Sequence, residues 1–289
     1  YQRNREIFRS KYRVFLMSIC YVNSSYEEKN SATISIQDRG FNFSDGVYEV
    51  MSFFGNKVIN FDKHVKRLAQ SLDGLRIKKP FTNYKSLELI LKKLIKLNKL
   101  DKGFVYLQIT RGSSSRNHLF PKLSNPNIVI FTFTAKLDKK LIQSGVKVRL
   151  TEDLRWKRCD IKSISLLPNV LEKQNAFEEG MYESWQKRNN LITEGSTSNA
   201  FIINRNGFIQ THPANNFILG GVTRDTLIEI AKKNKIKVLE KAFSLSDLFS
   251  SKEAFLTSTT AKILPVVKIN EKTIGNGKPG QMTQVLIKK

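Results

Sequence analysis

Four runs rich in β-branched and aromatic residues punctuate the first half of the chain: ATISI at 32–36, VYEVMSFF at 47–54, FVYLQITR at 104–111 and NIVIFTFTA at 127–135. Such residues favour strands, because branched and ring side chains fit a pleated, half-buried surface. Two segments of helical periodicity fall among them. DKHVKRLAQSLDGL sets Val65, Leu68, Leu72 and Leu75 at helical spacing, and a Leu/Ile-rich stretch covers residues 87–100. Strand runs interleaved with helical ones make this half mixed α and β.

A polar, lysine-rich segment, KLDKKLIQSG at 136–145, is the best candidate for a domain boundary. The 289 residues suit two domains, read as a small one over 17–137 and a larger one over 138–289. The second half opens on a strand, VKVRLTE, and runs into a helix around LEKQNAFEEGMYESWQKR. AFIINRNGFIQTH reads as a hairpin in which Asn206-Gly207 supplies positive φ angles. In LGGVTRDTLIEIAKKN a glycine pair opens a helix, and EAFLTSTTAKILPVVKIN reads as two strands around a hydroxyl-rich turn. The basic RNREIFRSKYR followed by apolar VFLMSICYV imitates a secretion signal, but no small-residue cleavage site follows and the apolar run is too short to span a bilayer. The expectation is that Met17 opens the folded protein, that SICYV is its first strand, and that residues 1–16 are an extension.

The formal charge is +24, from 49 Lys and Arg against 25 Asp and Glu. Such an excess suggests nucleic acid or acidic membranes as partners. The basic residues are nevertheless scattered through helical stretches, and no recognition-helix, zinc-finger or RNA-binding signature accompanies them. A basic nucleic-acid-binding protein is the rival reading from another class, and the expectation is no nucleic acid and no membrane. The chain has two cysteines, Cys20 and Cys159, no CxxC pair and three histidines, so neither a metal site nor a disulfide scaffold is implied. This usage fits a reducing compartment, the cytoplasm.

Five segments carry candidate chemistry. In RWKRCDIKSISLLPNV, residues 155–170, Lys162 sits between apolar neighbours. It is either a reactive amine or a side chain keeping its ammonium in water from a strand edge. GGVTRD at 220–225 lets the backbone approach a ligand, with Thr223 able to cap the helix that follows. An open helix N-terminus is an anion site, and the alternative is an ordinary capped helix. LTSTTAKI at 256–263 gathers four hydroxyls, Thr257, Ser258, Thr259 and Thr260, as phosphate donors or as a self-bonded turn. RGSSSRNHLFP at 111–121 places Arg116 and His118 where both could grip a carboxylate, or stand on the surface. NLITEGSTSN at 190–199 carries Glu194 just before a small-residue turn, where a buried acid needs a cationic partner, the alternative being a helix N-cap cluster or a simple turn. GNGKPG at 275–280 fits the dinucleotide glycine spacing, but Pro279 and the short remainder cannot build the βαβ unit, so it is a surface turn.

Taken in order, DGVYEV, the helix with Arg67, RGSSSRNH, Lys162, TEGSTSN, GGVTRD and TSTT resemble the fold-type IV pyridoxal-phosphate enzymes, from about Met17 to the C-terminus. SRNH is similar to the R-x-H loop of the D-amino-acid aminotransferases, whereas branched-chain aminotransferases and aminodeoxychorismate lyases carry other sequences there. The resemblance implies an α+β, two-domain fold: a small α/β N-terminal domain, a larger β-rich C-terminal one, and pyridoxal 5′-phosphate between them. It implies that Lys162 holds the cofactor as a Schiff base and then moves a proton between the substrate Cα and the cofactor C4′, which requires the amine to shed its own proton. Glu194 would pair with the ring nitrogen and Leu219 would back the ring. Val222, Thr223, Arg67 and Thr259 would take the phosphate. Tyr48, Arg116 and His118 would hold the substrate carboxylate, with the Arg/His loop reaching in from the second subunit of a homodimer. Ser258 and Thr260 would border the side-chain pocket. The implied reaction is transamination between a D-amino acid (D-alanine, D-glutamate or D-aspartate) and a 2-oxo acid such as 2-oxoglutarate or pyruvate. The alternative is a branched-chain L-amino-acid or (R)-amine aminotransferase of the same fold.

Overall fold

The computed structural model describes residues 19–289 and divides into two compact units, one of the residues up to Lys136 together with Ile161–Ser165, the other of Leu137–Asp160 and Leu166–Lys289. Lys162 thus belongs to the first unit, although it follows the lysine-rich segment in sequence.

The first unit is an antiparallel sheet of six strands backed by helices. In chain order it contains β1 (Ile19–Val22), β2 (Ser25–Glu28), α1 (Arg39–Phe43), β3 (Gly46–Phe54), β4 (Lys57–Val58), α2 (Phe61–Gly74), α3 (Tyr84–Leu97), β5 (Lys102–Thr110) and β6 (Asn127–Phe133), with sheet order β2-β1-β6-β5-β3-β4. β3 and β5 pair along their whole length, Gly46 opposite Thr110 through Phe54 opposite Lys102. Strand alternation then sends Val47, Met51 and Phe53 with Val105, Leu107 and Ile109 into a core closed by Leu68 and Leu72 of α2 and by Leu87, Leu91 and Leu94 of α3. Glu49 lies on the same buried phase as Val47 and Met51. Tyr48, Tyr106 and Phe131 stack in a ladder, with centroids 5.8 and 4.8 Å apart.

ATISI is not a strand. Ser31 and Ala32 turn back to donate to the Glu28 carbonyl, Ile36 is 81% exposed, and the run leads to Asp38, whose Oδ1 accepts from Gly40 N and Phe41 N at the head of α1. Its β propensity finds no partner strand among the described residues. The strand expected in SICYV forms as β1, while Met17 and residues 1–16 lie outside the described residues.

The second unit carries a nine-stranded mixed sheet. Its elements are α4 (Lys139–Ser144), β7 (Val146–Glu152), α5 (Leu167–Glu178), β8 (Glu183–Arg188), β9 (Leu191–Gly195), β10 (Asn199–Ile203), β11 (Ile209–Thr211), α6 (Val222–Lys233), β12 (Val238–Glu240), α7 (Leu245–Phe249), β13 (Glu253–Ser258), β14 (Lys262–Ile269), β15 (Lys272–Thr273) and α8 (Gln281–Lys288). The order is β12-β11-β10-β13-β14-β7-β8-β9, with β15 beside β14. β7 lies parallel to both β14 and β8. Trp185, Phe243, Val148, Leu256 and Leu264 pack one core, and the stacked Phe201–Phe255 pair meets Leu227 and Ile228 of α6 in another.

Three local expectations for this half are corrected. The helix at LEKQNAFEEGMYESWQKR stops at Glu178; Gly180 turns at φ +71° and ESWQKR becomes β8, held between β7 and β9. In the hairpin only Gly207 has positive φ. Asn204 organises a longer loop, its Oδ1 accepting from Asn206 N and Phe208 N while its carbonyl accepts from Gly207 N. Thr223 does not cap α6: the N-cap is Gly221, without a side-chain cap bond. Among the described residues, no helix is long and apolar enough to cross a membrane, and no group of three or more His, Cys, Asp or Glu could hold a metal ion.

Candidate active site

In the first unit the chemistry gathers around Lys162 and β3. The Lys162 carbonyl accepts from Tyr48 N at 3.0 Å, and its own N–H donates to Ser71 Oγ at 3.1 Å. Ser163 bridges Val47, and Ile164 N donates to the Gly46 carbonyl. The backbone of Lys162 is therefore held by α2 through its N–H and by β3 through its carbonyl, and its ammonium stands 4.0 Å from the centre of the Tyr48 ring. Tyr48 and Lys162 are brought together.

Arg67 sits in α2, one turn beyond His64, and both reach the same acid. Glu49, with no exposed surface, accepts from Arg67 Nε and Nη2 at 2.8 Å each, and its Oε2 lies 2.7 Å from His64 Nδ1. Burial alone would raise the Glu49 carboxyl; the Arg67 guanidinium and then His64 more than reverse this and bring it from 4.5 to about 2. Burial lowers His64, partly offset by Glu49. Arg67 is legible in the sequence through the family resemblance, whereas Glu49 and His64 are not. The available signal was the phase of VYEVM, in which an acid takes a core position and so requires a buried cation.

Arg116 and His118 lie on an exposed loop whose backbone is pinned from within. Asp45 accepts from Arg39 Nε and from Arg111 Nε and Nη2, and Arg39 Nη1 donates to the carbonyls of Asn117 and Leu119. The Arg39 and Arg116 guanidiniums and the His118 ring all contact the Phe43 ring, at 4.8, 5.1 and 5.3 Å between centres.

In the second unit Glu194 sits at the end of β9, just before Gly195 and the small residues that follow, and it is 4% exposed. Its carboxylate accepts from Arg155 Nη1, from Asn199 Nδ2 at 2.8 Å, and from Leu219 N at 3.1 Å to both oxygens. Asn199 Nδ2 also donates to the Leu219 carbonyl, so one side chain ties Glu194 to the segment leading into α6. The cationic partner that a buried acid demands is Arg155. Behind it Asp153, buried in turn, accepts from Arg155 and Thr193 and pairs with Arg188. The small residues after Glu194 are held by Glu183, which accepts from the hydroxyls of Thr197 and Ser198. Arg155 stands in the same stretch as Lys162, but nothing in its local pattern separates it from neighbouring surface arginines.

Val222 and Thr223 form the first turn of the twelve-residue α6, where Gly221 leaves the N-terminus without a side-chain cap. A Cβ on Gly221 would lie 2.0 Å from Asn199 Oδ1, so the approach of α6 to the Glu194 network needs glycine. Leu219 presents its N–H and carbonyl to that network. Ser258, Thr259 and Thr260 form the turn between β13 and β14, with Ser258 Oγ 3.4 Å from Thr260 Oγ1 and accepting from Ala261 N.

The donor set suits a phosphorylated pyridine. Glu194 is a buried acceptor, and the head of α6 leaves backbone N–H groups without a side-chain cap. Ser196 Oγ and Thr257 Oγ1 are buried with no partner among the described residues, and Thr257 pairs across the sheet with Asn199. Polar groups left unmet beside a charged network fit a polar ligand.

Residues 46–269 match the family described as amino-transferase class IV. The chain is 37% identical to a D-alanine aminotransferase of Bacillus licheniformis over 262 residues, which is 91% of this chain and 92% of that protein. It is 38% identical to a D-alanine aminotransferase of Listeria innocua over 270 residues, 92% of each chain. Among solved structures, the branched-chain amino acid aminotransferase of Escherichia coli superposes with a TM-score of 0.87 over 94% of this chain and 93% of that one, at 21% identity, a likeness of fold.

Proposed function

The chain belongs to the class IV aminotransferases and has their fold-type IV architecture, and from that premise we propose that it moves an amino group between a D-amino acid and a 2-oxo acid on pyridoxal 5′-phosphate. The observation that carries the reading is identity of 37 and 38% to D-alanine aminotransferases, sustained over more than nine-tenths of the chain. The chemistry supplied by the bound cofactor is an electron sink conjugated to the substrate Cα.

The protein's own residues supply the rest. Lys162 takes the proton from the substrate Cα and returns it at the cofactor C4′, work for which its tethers to Tyr48 and Ser71 fix the starting point of the side chain. Glu194 accepts the hydrogen of the ring nitrogen, and its three donors, with no acceptor among them, match a carboxylate. Val222 and Thr223 present backbone N–H groups to the phosphate, joined by Arg67 and the Thr259 hydroxyl, while Leu219 backs the ring. Tyr48, Arg116 and His118 hold the substrate carboxylate, the last two serving the partner's site in a homodimer, and Ser258 and Thr260 border the side-chain pocket. In support, Arg116 and His118 are exposed on a loop of fixed backbone.

The test is an absorption spectrum in the near-ultraviolet and visible, with D-alanine or L-leucine added, beside a Lys162→Ala control. A band that D-alanine changes, that L-leucine leaves alone and that the control lacks is the expected result. A protein that stays colourless with added cofactor, or responds to L-leucine alone, would overturn the reading.

A further inference from the structure

Glu194 reaches its partners through a relay of charges that starts one residue type further back. Arg155 presents three nitrogens to two acids. Its Nε donates to Asp153 Oδ1 at 2.9 Å and its Nη2 to Asp153 Oδ2 at 2.7 Å, a two-point fork that fixes the plane of the guanidinium. The remaining Nη1 is thereby turned onto Glu194 Oε1. Asp153 cannot drift, since Thr193 Oγ1 donates to it at 2.9 Å and Arg188 Nε lies 3.1 Å away. Arg188 also donates through Nη2 to the carbonyls of Arg155 and Trp156, closing the loop on the backbone that carries the fork. Side chains of Arg155, Asp153 and Glu194 are 7, 0 and 6% exposed, so solvent screens these contacts little.

Burial dominates and leaves the Glu194 carboxyl above its ordinary value; Arg155 is the main opposing influence, helped by the Leu219 N–H, while Asp153 adds to the rise, and burial also raises the nearby Cys159 thiol. The other groups on Glu194, Asn199 Nδ2 and Leu219 N, are neutral donors. Of all these neighbours, Arg155 is the one whose charge touches the carboxylate directly.

We propose that Arg155, clamped by Asp153, is the positioning residue that keeps Glu194 a carboxylate and aims it, and so sets how firmly this chain grips a protonated ring nitrogen. The inference rests on Glu194 being the ring-nitrogen partner. Without the charge, a buried Glu194 would take up a proton and lose the negative charge that pairs with a protonated ring nitrogen, keeping only the weaker acceptor of a neutral carboxyl.

The test is carbon-13 NMR of the protein labelled at glutamate carboxyls, at neutral pH, with Glu194→Gln identifying the Glu194 signal. It is run beside a titration with pyridoxal phosphate followed by intrinsic fluorescence, and circular dichroism to check the fold. Arg155→Gln is expected to move the Glu194 signal to the protonated position and to weaken cofactor affinity about tenfold or more. Arg155→Lys, which keeps charge without the fork, is expected to leave the signal ionised. A folded Arg155→Gln protein with an ionised Glu194, or with unchanged affinity, would overturn the proposal. Should Arg155→Gln not fold, Asp153→Asn decides, because it removes the clamp and leaves the charge: weaker cofactor binding supports the relay, and unaltered binding rejects it. A wild-type protein that takes up no pyridoxal phosphate would instead sink the cofactor reading, and the NMR signal would still judge the Arg155–Glu194 coupling.

Discussion

Glu49 occupies a core position of β3 between Val47 and Met51, and Arg67 and His64 are what make that tolerable. Replacing it by glutamine keeps the shape and removes the carboxylate that faces the buried Arg67 guanidinium, so Glu49→Gln should lower stability by about 3–5 kcal/mol in urea unfolding at neutral pH; a loss under about 1 kcal/mol would mean that the pair is not what anchors α2 to the sheet. The sign of the acid dependence follows from the same contacts. Glu49 is drawn from 4.5 to about 2 in the folded protein, so its contribution of about 3 kcal/mol is present above pH 4.5 and is lost as pH falls through about 2. The gap between wild type and Glu49→Gln should therefore narrow over that window. His64 and His212 act earlier. Burial holds both below 6.5, so the unfolded chain binds protons first and stability drains away as pH drops below 6.5. Thermal melts at pH 7 and 5 should show a lower midpoint at pH 5, and His64→Gln should flatten part of that slope. These charges were half legible in sequence. VYEVM shows its acid on the apolar phase, but that the answering cations are His64 and Arg67, one helical turn apart, depends on where α2 lands, and no local pattern records it. The partnership of Arg155 with Glu194 is hidden for the same reason, the two residues being far apart in the chain.

At the scale of elements, α6 shows what a single missing Cβ permits. Gly221 has φ −72°, which any residue can adopt, so the constraint is space alone: the added carbon would meet Asn199 Oδ1 at 2.0 Å. Asn199 cannot swing away without dropping both Glu194 and the Leu219 carbonyl. Gly221→Ala should cost about 1–3 kcal/mol in thermal or urea unfolding and displace Asn199; a variant as stable as wild type would show that the helix shifts freely. The glycine pair and the helix behind it were legible because glycine and periodicity are local signals. The same holds for β3, β5 and β6, whose branched and aromatic residues alternate in phase. ATISI has the composition but no partner strand among the described residues, so it stays a turn-flanked segment. ESWQKR has a polar, helix-compatible composition and becomes β8 because β7 and β9 flank it and Gly180 breaks the preceding helix. Pairing across the chain decides such segments, and composition does not encode it.

At the scale of the whole molecule the formal charge of +24 is a field more than a set of contacts. Its reach is set by salt, from about 30 Å at 0.01 M to about 3 Å at 1 M. If the proposed reaction is the right one, the field should act on substrates in proportion to their charge, raising the encounter rate of dianionic 2-oxoglutarate more than that of monoanionic pyruvate, and leaving zwitterionic D-alanine nearly untouched. The expected outcome is that kcat/KM for 2-oxoglutarate falls most steeply across that salt range, pyruvate less, and D-alanine least. Because salt also relieves self-repulsion among the cations, the folded fraction should be followed by circular dichroism at each point, so that a change in stability is not read as steering. Equal slopes for the two oxo acids would assign anion capture to contacts formed after encounter, with Arg116 and His118 on their fixed loop as the first residues to substitute. Unequal slopes that survive Arg116→Gln would place the selectivity in the distributed lysines, a surface property that evolves without touching the site.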